Sequence, residues 1–178
     1  MPPLLLLYYG MKMSERKTKA WTANSEGAYG KTGAKGDRGE AFMCKVFDAW
    51  KWEYQHFPSS FKEQVQGVDF SFRDPSWSNS YTADIKANLN QYGEFFVETD
   101  DTGWLFNPKK VSDRIWHVNS ETGWMAWYSR SDMKRYIQSK KLRNTGLLSV
   151  QVRDKLDFVS RRKYNEPLTE VQFEDVPF

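Results

Sequence analysis

Two carboxylates and one lysine stand at spacings that would bring them together on neighbouring strands. Asp69 lies in one strand-like stretch, and Asp84 and Lys86 lie in a second one that follows a turn. Residues two apart on a strand project from the same face, so Asp84 and Lys86 would point the same way. A tight hairpin would set Asp69 beside them, which would place two negative charges and one positive charge in one patch.

Such a cluster suits the hydrolysis of phosphodiester bonds. Carboxylate oxygens are hard ligands for Mg²⁺, and that ion can polarise a phosphate, lower the pKa of a bound water and stabilise the departing oxyanion. The ammonium group of Lys86 would orient the attacking water and offset developing negative charge. The alternative interpretation is a surface patch of cross-strand ion pairs, which would contribute little to stability.

An amphipathic helix is predicted ahead of these strands, over residues 39–52. Glu40 lies in its first turn and shares a flank with Cys44, so its carboxylate would point along the edge of the core. The apolar residues that recur at helical spacing and predict a buried stripe are Phe42, Val46, Phe47, Ala49 and Trp50. Residues 14–35 are polar and dotted with glycine, which favours a flexible or ligand-ordered approach to the helix.

The remaining pattern predicts an α/β fold with a mixed sheet and helices against it. Strand-like residues 65–72 and 81–89, separated by turn-forming residues 73–80, predict an antiparallel hairpin, and residues 94–98 a third strand. Asn107-Pro108 predicts a helix start, residues 114–118 and 124–128 a second hairpin, and residues 147–152 a last strand. Ser131 is predicted to cap a helix that holds Met133, Tyr136 and Ile137.

In order and spacing, the segment 36–98 resembles the PD-(D/E)XK nuclease superfamily. The superfamily pattern is a glutamate on a helix, an aspartate on a strand, and then an acidic residue, any residue and a lysine on the next strand. Here Glu40 and Asp69 are followed by Asp84-Ile85-Lys86. One departure is that Val68, and not proline, precedes the strand aspartate.

The resemblance implies a restriction-endonuclease-like fold, a mixed β-sheet core flanked by helices, and a metal-dependent endonuclease. It implies that Asp69 and Asp84 ligate Mg²⁺, with Mn²⁺ as a substitute, and that Ile85 offers its backbone carbonyl. Glu40 would support the metal directly or through water, and Lys86 would assist the nucleophile. The catalytic set is therefore Glu40, Asp69, Asp84 and Lys86.

The overall composition fits one domain of 178 residues, with only one cysteine and two histidines. We divide the chain into a glycine-dotted segment 1–35, a nuclease domain 36–165 and an acidic tail 166–178. A single cysteine excludes a disulfide framework and favours a cytoplasmic setting. The two histidines, His56 and His117, are expected to be structural or surface residues. Residues 4–9 are apolar but too short to cross a membrane, and translation could begin at Met1, Met11 or Met13.

The net charge is only +3, but the charge is unevenly distributed. Residues 130–163 hold eleven Lys and Arg against three Asp, a net charge of +8. This stretch is either a solvated face or a phosphate-binding surface. The candidate phosphate contacts are Lys109, Lys110, Arg130, Lys134, Arg135, Lys140 and Lys141.

Taken together, the sequence predicts a Mg²⁺-dependent endodeoxyribonuclease whose partner is double-stranded or branched DNA. Cutting both strands requires two sites, so we expect a homodimer and no membrane partner. The substrate choice between a homing-type sequence and a Holliday junction stays open, as does RNA. The competing hypothesis is a non-catalytic nucleic-acid-binding module on the same fold.

Overall fold

A computed structural model of the chain describes residues 28–57 and 61–165. Within these ranges the strands form one six-stranded and one two-stranded sheet, with α-helices packed against them. The predicted mixed α/β class is confirmed at this level. The predicted N-terminal segment through residue 27 and the acidic tail 166–178 lie outside the described residues.

The described elements are one long helix, two shorter ones and eight strands. The helices are α1 (Ala28–Trp50), α2 (Phe61–Gln66) and α3 (Arg130–Ser139), with a 3-10 turn at Val152–Asp154. The strands are β1 (Glu53–His56), β2 (Phe70–Arg73), β3 (Tyr81–Lys86), β4 (Glu94–Glu98), β5 (Arg114–Val118), β6 (Trp124–Ser129), β7 (Leu147–Gln151) and β8 (Ser160–Lys163). None of the helices in the described ranges is long and apolar enough to cross a membrane.

The large sheet has the strand order β1-β2-β3-β5-β6-β8, and β4 pairs with β7 in the small one. Strands β3 and β5 are parallel, whereas the other neighbours are antiparallel. The carboxyl ends of β3 and β5 therefore lie at the same edge as the starts of β2 and β6 and the end of β8. We call this the upper edge of the sheet.

The core lies on both faces of the large sheet. Alternation along the strands sends Trp116 and Met125 to one face, where Phe42 and Phe47 of α1 cover them. The opposite face is covered by the small sheet and α3, and its buried residues include Ile115, Tyr128, Phe95 and Met133. Sequence periodicity identified α1 because this buried stripe recurs at helical spacing.

Helix α1 begins at Ala28, so the prediction that it starts at Gly39 was wrong. Gly30 and Gly33, which suggested a flexible approach, lie inside the helix, as does Gly39, which has a packing reason. A Cβ at Gly39 would lie 3.0 Å from Ala87 Cβ and 3.2 Å from Val118 Cγ2, so the glycine lets α1 approach the upper edge closely. Ala49, predicted in the buried stripe, is exposed.

The predicted strand at residues 65–72 is only partly correct, because residues 61–66 form α2 and β2 begins at Phe70. Gly67, at φ +63°, ends the helix, and Val68 N–H donates to Glu63 O at 2.9 Å. The tendency of valine to favour strands is thus overridden by a helix-ending turn. The antiparallel pairing of β2 with β3 is confirmed, with Phe70 opposite Ala83.

Two local predictions for the second half of the chain were wrong, because the same short polar motifs can form turns or helix caps. Asn107 does not start a helix, because its side chain accepts the N–H of Lys109 and closes a turn. Helix α3 is capped by Ser129 and not by Ser131, since the Ser129 side chain accepts from Asp132 N–H. The hairpin of β5 and β6 is confirmed, and the strands at 94–98 and 147–151 pair with each other.

Candidate catalytic site at the upper edge of the sheet

Asp69 is placed by the point at which β2 leaves the sheet. Its backbone N–H donates to Ala83 O at 2.8 Å, which fixes it as the residue just before the strand. Two positions farther along β3, the N–H of Ile85 donates to Asp69 Oδ2 at 2.6 Å. The side chain thus takes over a sheet hydrogen bond, which holds the carboxylate at the upper edge.

Asp84 and Lys86 project from the same face of β3, as their spacing predicted. Lys86 Nζ lies 2.7 Å from Asp84 Oδ1, and the Asp84 side chain is only 3% exposed. The other oxygen, Asp84 Oδ2, is buried and accepts no hydrogen bond from any residue that the structure describes. A buried carboxylate oxygen without a donor is costly, so this atom points to a ligand.

Gly67 lies next to that oxygen and against the Lys110 side chain. A Cβ built on Gly67 would lie 3.5 Å from Asp84 Oδ2 and 2.8 Å from Lys110 Cδ. The absence of a side chain at Gly67 therefore lets the Lys110 stem lie close to the carboxylate. Lys110 was predicted as a phosphate contact, and the structure places it beside the candidate site.

The charges at the site influence one another. Burial, together with the nearby carboxylates of Asp84 and Glu40, raises the pKa of Asp69 to about 7, against the opposing effects of the Ile85 N–H and Lys86. Burial alone lowers the pKa of Lys86, but Asp84 outweighs it and holds that pKa above the ordinary value. The cluster therefore carries excess negative charge that a cation would relieve.

Glu40 has a partner that the sequence did not predict. His56 Nε2 lies 2.6 Å from Glu40 Oε2, and His56 Nδ1 lies 3.9 Å from Cys44 Sγ, while the imidazole stacks on Phe70. Burial lowers the pKa of His56, but hydrogen bonds with Cys44 and Glu40 outweigh it and raise the pKa to about 9. His56 was missed because it belongs to β1, a strand with no apolar run.

His117 is structural, as predicted. It is fully buried between Asn88 and Tyr128, to which its two ring nitrogens are hydrogen-bonded, and Phe95 stacks on it at 4.0 Å. Burial lowers its pKa well below the ordinary value, and the neighbouring charge of Lys86 acts in the same direction. A neutral imidazole thus supports the strand that carries Lys86.

Glu98 is a further carboxylate close to Lys86, whose pKa it helps to raise. Its Oε2 accepts the N–H of Trp104 at 3.0 Å, and the Trp104 ring lies 5.5 Å from Lys86 Nζ. Glu98 therefore closes the side of the site formed by β4. Sequence analysis treated it only as the end of a strand.

The donor set fits a small hard cation that keeps most of its own water. In the described ranges, no group of three or more His, Cys, Asp or Glu side chains is arranged around one metal position. Mg²⁺ commonly uses one or two carboxylates and takes its other oxygens from water and substrate phosphate. Asp84 Oδ2 and Asp69 would be those carboxylates, with Glu40 reaching the metal through water.

The predicted phosphate contacts separate into distinct environments. Lys109, Arg135, Lys140 and Lys141 are exposed, and Lys134 is half-buried with its ammonium 5.8 Å from the Phe106 ring. Arg130 is corrected, because it is buried and its guanidinium donates to Ser112 and to the carbonyls of Trp104 and Leu105. Those contacts tie α3 to the loop before β5, so Arg130 is left out of the proposed interface.

No family model, no curated protein and no solved structure matches the chain.

Proposed function

We propose that the chain is a Mg²⁺-dependent endodeoxyribonuclease with the restriction-endonuclease-like arrangement that its motifs resemble. One observation carries the proposal: Asp84 Oδ2 is buried beside Asp69 and Lys86 and has no hydrogen-bond donor among the described residues. Mere surface ion pairs would leave their carboxylates exposed, whereas Asp84 is buried.

The reaction is the attack of water on a DNA phosphate, with one phosphorus–oxygen bond formed and one broken. When bound, Mg²⁺ would supply Lewis acidity and acidify a water ligand. Asp84 and Asp69 would hold the ion, and the Ile85 N–H keeps the Asp69 carboxylate in orientation. The Lys86 ammonium would leave Asp84 Oδ1 to meet the negative charge that develops on the phosphate oxygens.

The proposed substrate is double-stranded or branched DNA, held by the exposed lysines and arginines of α3 and the turn after it. A homodimer is part of the proposal because cleavage of both strands requires two sites. Sequence-specific homing-type cleavage and junction resolution are both compatible with this site.

The test is cleavage of supercoiled plasmid and of a four-way DNA junction in Mg²⁺, with EDTA as the metal control. We expect the wild type to cut at least one substrate, and Asp84→Asn and Lys86→Met to lose at least about a hundredfold in rate, since each removes charge stabilisation at the reacting phosphate. Asp157→Asn removes an exposed carboxylate of the same type away from the site and should leave the rate unchanged.

One observation favours the second candidate, a binding module without catalysis. The Lys86–Asp84 ion pair is complete without a metal, as expected if the carboxylates only fix the fold. DNA binding by the wild type with no Mg²⁺-dependent cutting of either substrate would favour that module and contradict the nuclease proposal.

A further inference from the structure

A second cavity lies along the same upper edge as the catalytic residues. Its volume is about 240 Å³, and Tyr92 and Trp124 lie at its rim together with Arg153 and Arg161. Leu89 and Val152 add apolar side chains to its lining. The cavity thus combines apolar side chains, aromatic rings and two guanidinium groups.

The two aromatic residues are unusually exposed for their size. Tyr92 is 79% exposed and Trp124 is 41% exposed, although most aromatic side chains of the described ranges pack in the core. The backbone under Tyr92 is held by Asn90, whose side-chain oxygen accepts the N–H groups of Tyr92 and Glu94. A fixed backbone that presents an uncovered ring is organised in advance for stacking.

A larger cavity adjoins the aromatic one. That neighbour, about 460 Å³, is bordered by Ala87, the residue after Lys86, and by the basic residues Lys35 and Arg38 of α1. Leu89 lines both cavities. The chain that follows Lys86 therefore runs along both cavities as far as Tyr92.

We propose that the aromatic cavity binds an unpaired nucleotide of the DNA strand that passes through the catalytic site, an inference that rests on the proposed nuclease function. Stacking on Tyr92 and Trp124 accommodates any base, and Arg153 and Arg161 match the charge of its phosphates. The substrate class is accordingly DNA with a single-stranded extension next to duplex.

The sheet geometry sets the expected length of that extension. Trp124 begins β6, and β6 lies two strands away from β3 at the upper edge. Two strand spacings are about 10 Å, which corresponds to about three stacked nucleotides. An extension of one nucleotide should therefore gain nothing, whereas one of four or five should reach the cavity.

Binding is measured in EDTA, so that no cleavage occurs, with blunt duplex and with the same duplex carrying one or five unpaired nucleotides. We expect the five-nucleotide extension to bind more tightly, and Tyr92→Ala and Trp124→Ala to weaken that binding by about tenfold, within the range known for loss of a stacked base. Tyr92→Phe and Trp124→Phe keep a ring and should retain most of the affinity. The fluorescence of 2-aminopurine in the extension should be quenched by the wild type and not by Tyr92→Ala.

Equal wild-type affinity for blunt and extended DNA would overturn the inference, as would equal losses on both DNAs or equal effects of the Ala and Phe variants. Parallel cleavage assays in Mg²⁺ separate the two proposals. Selective binding without cleavage would support this cavity and contradict the nuclease function, while cleavage without selective binding would do the reverse.

Discussion

Lys86 Nζ lies 2.7 Å from Asp84 Oδ1, because the two residues are two positions apart on β3 and project from the same face. The pair is largely buried, so neither group can be removed without leaving the other unbalanced. The Lys86 ammonium thus takes the place of a metal ion at Oδ1 of Asp84. The other oxygen, Oδ2, has no hydrogen-bond donor among the described residues.

Replacement of Lys86 by Met should therefore destabilise the fold by about 3 kcal/mol in EDTA, because it leaves a buried uncompensated carboxylate. Mg²⁺ should recover part of that loss by binding Asp84. Urea denaturation with and without Mg²⁺ measures both effects. The double variant with Asp84→Asn should be more stable than Lys86→Met alone; an equal or lower stability would show that the Asp84 charge is balanced elsewhere.

Asp69 should make stability depend on pH. Its pKa in the fold is about 7, raised from 3.8, so the folded protein binds more protons than the unfolded chain between these values. The favourable contribution is complete below about pH 4 and is lost as the pH rises through about 7, a change of a few kcal/mol. In EDTA, Asp69→Asn should lack this decline and gain stability relative to wild type at pH 8. The measurement is the free energy of unfolding of both proteins from pH 5 to 8. Parallel changes in the two proteins would refute the raised pKa of Asp69.

Gly67→Ala should lower the free energy of unfolding slightly and should strongly reduce the stabilisation that Mg²⁺ provides. The left-handed φ costs an alanine about 1 kcal/mol, and its Cβ would stand next to Asp84 Oδ2. Gly146→Ala is the matched control, because Gly146 also has a positive φ but no atom lies within 4 Å of its Cβ position. Thermal melts at increasing Mg²⁺ should show a reduced rise for Gly67→Ala only. Equal Mg²⁺ responses would place the metal elsewhere.

His56 should act on the metal through Glu40. His56→Phe keeps the stacking on Phe70 but loses the donor to Glu40, whereas His56→Gln keeps an amide donor. We expect the Mg²⁺ concentration for half-maximal cleavage to rise at least about tenfold in the Phe variant and less in the Gln variant. If both variants change only the melting temperature and leave the Mg²⁺ dependence intact, His56 is structural.

Neutralising four cations of α3 and its following turn, three of them exposed and one half-buried, should flatten the salt dependence of DNA binding. The combined variant changes Lys134, Arg135, Lys140 and Lys141 to Gln. Each lost phosphate contact should reduce the slope of log K against log salt by about 0.9. Because this term is electrostatic, the affinities of variant and wild type should converge toward 1 M salt. An unchanged slope would remove these residues from the interface.

Some contacts of the candidate site could be predicted from the sequence and others could not. Asp84 and Lys86 were correctly placed on one face because strand alternation is a local rule. The link between Asp69 and the Ile85 N–H was not predictable, because it depends on where β2 leaves the sheet. His56 lacked any local pattern, and only the packing of β1 under α1 reveals its contact with Glu40.

The same contrast applies to charge. Arg130 carried the same sequence signal as the exposed cations around it, yet burial assigns it to hold backbone carbonyls. The sequence gives the number of charged residues but not their exposure. A basic stretch therefore predicts a positively charged surface without showing which of its side chains lie on that surface. The short helix α2 was missed for a related reason, since a six-residue helix depends on its end contacts more than on its periodicity.

Strand β8 closes the large sheet, and all four of its residues, Ser160–Lys163, are exposed. An outer strand offers unpaired backbone groups that could join two sheets side by side. Here three cations from each copy would face each other across such a junction, so two molecules would repel one another along this edge. A pair of subunits that cuts both DNA strands would thus have to meet through another surface, or come together along this edge only where the phosphates of the DNA lie between them.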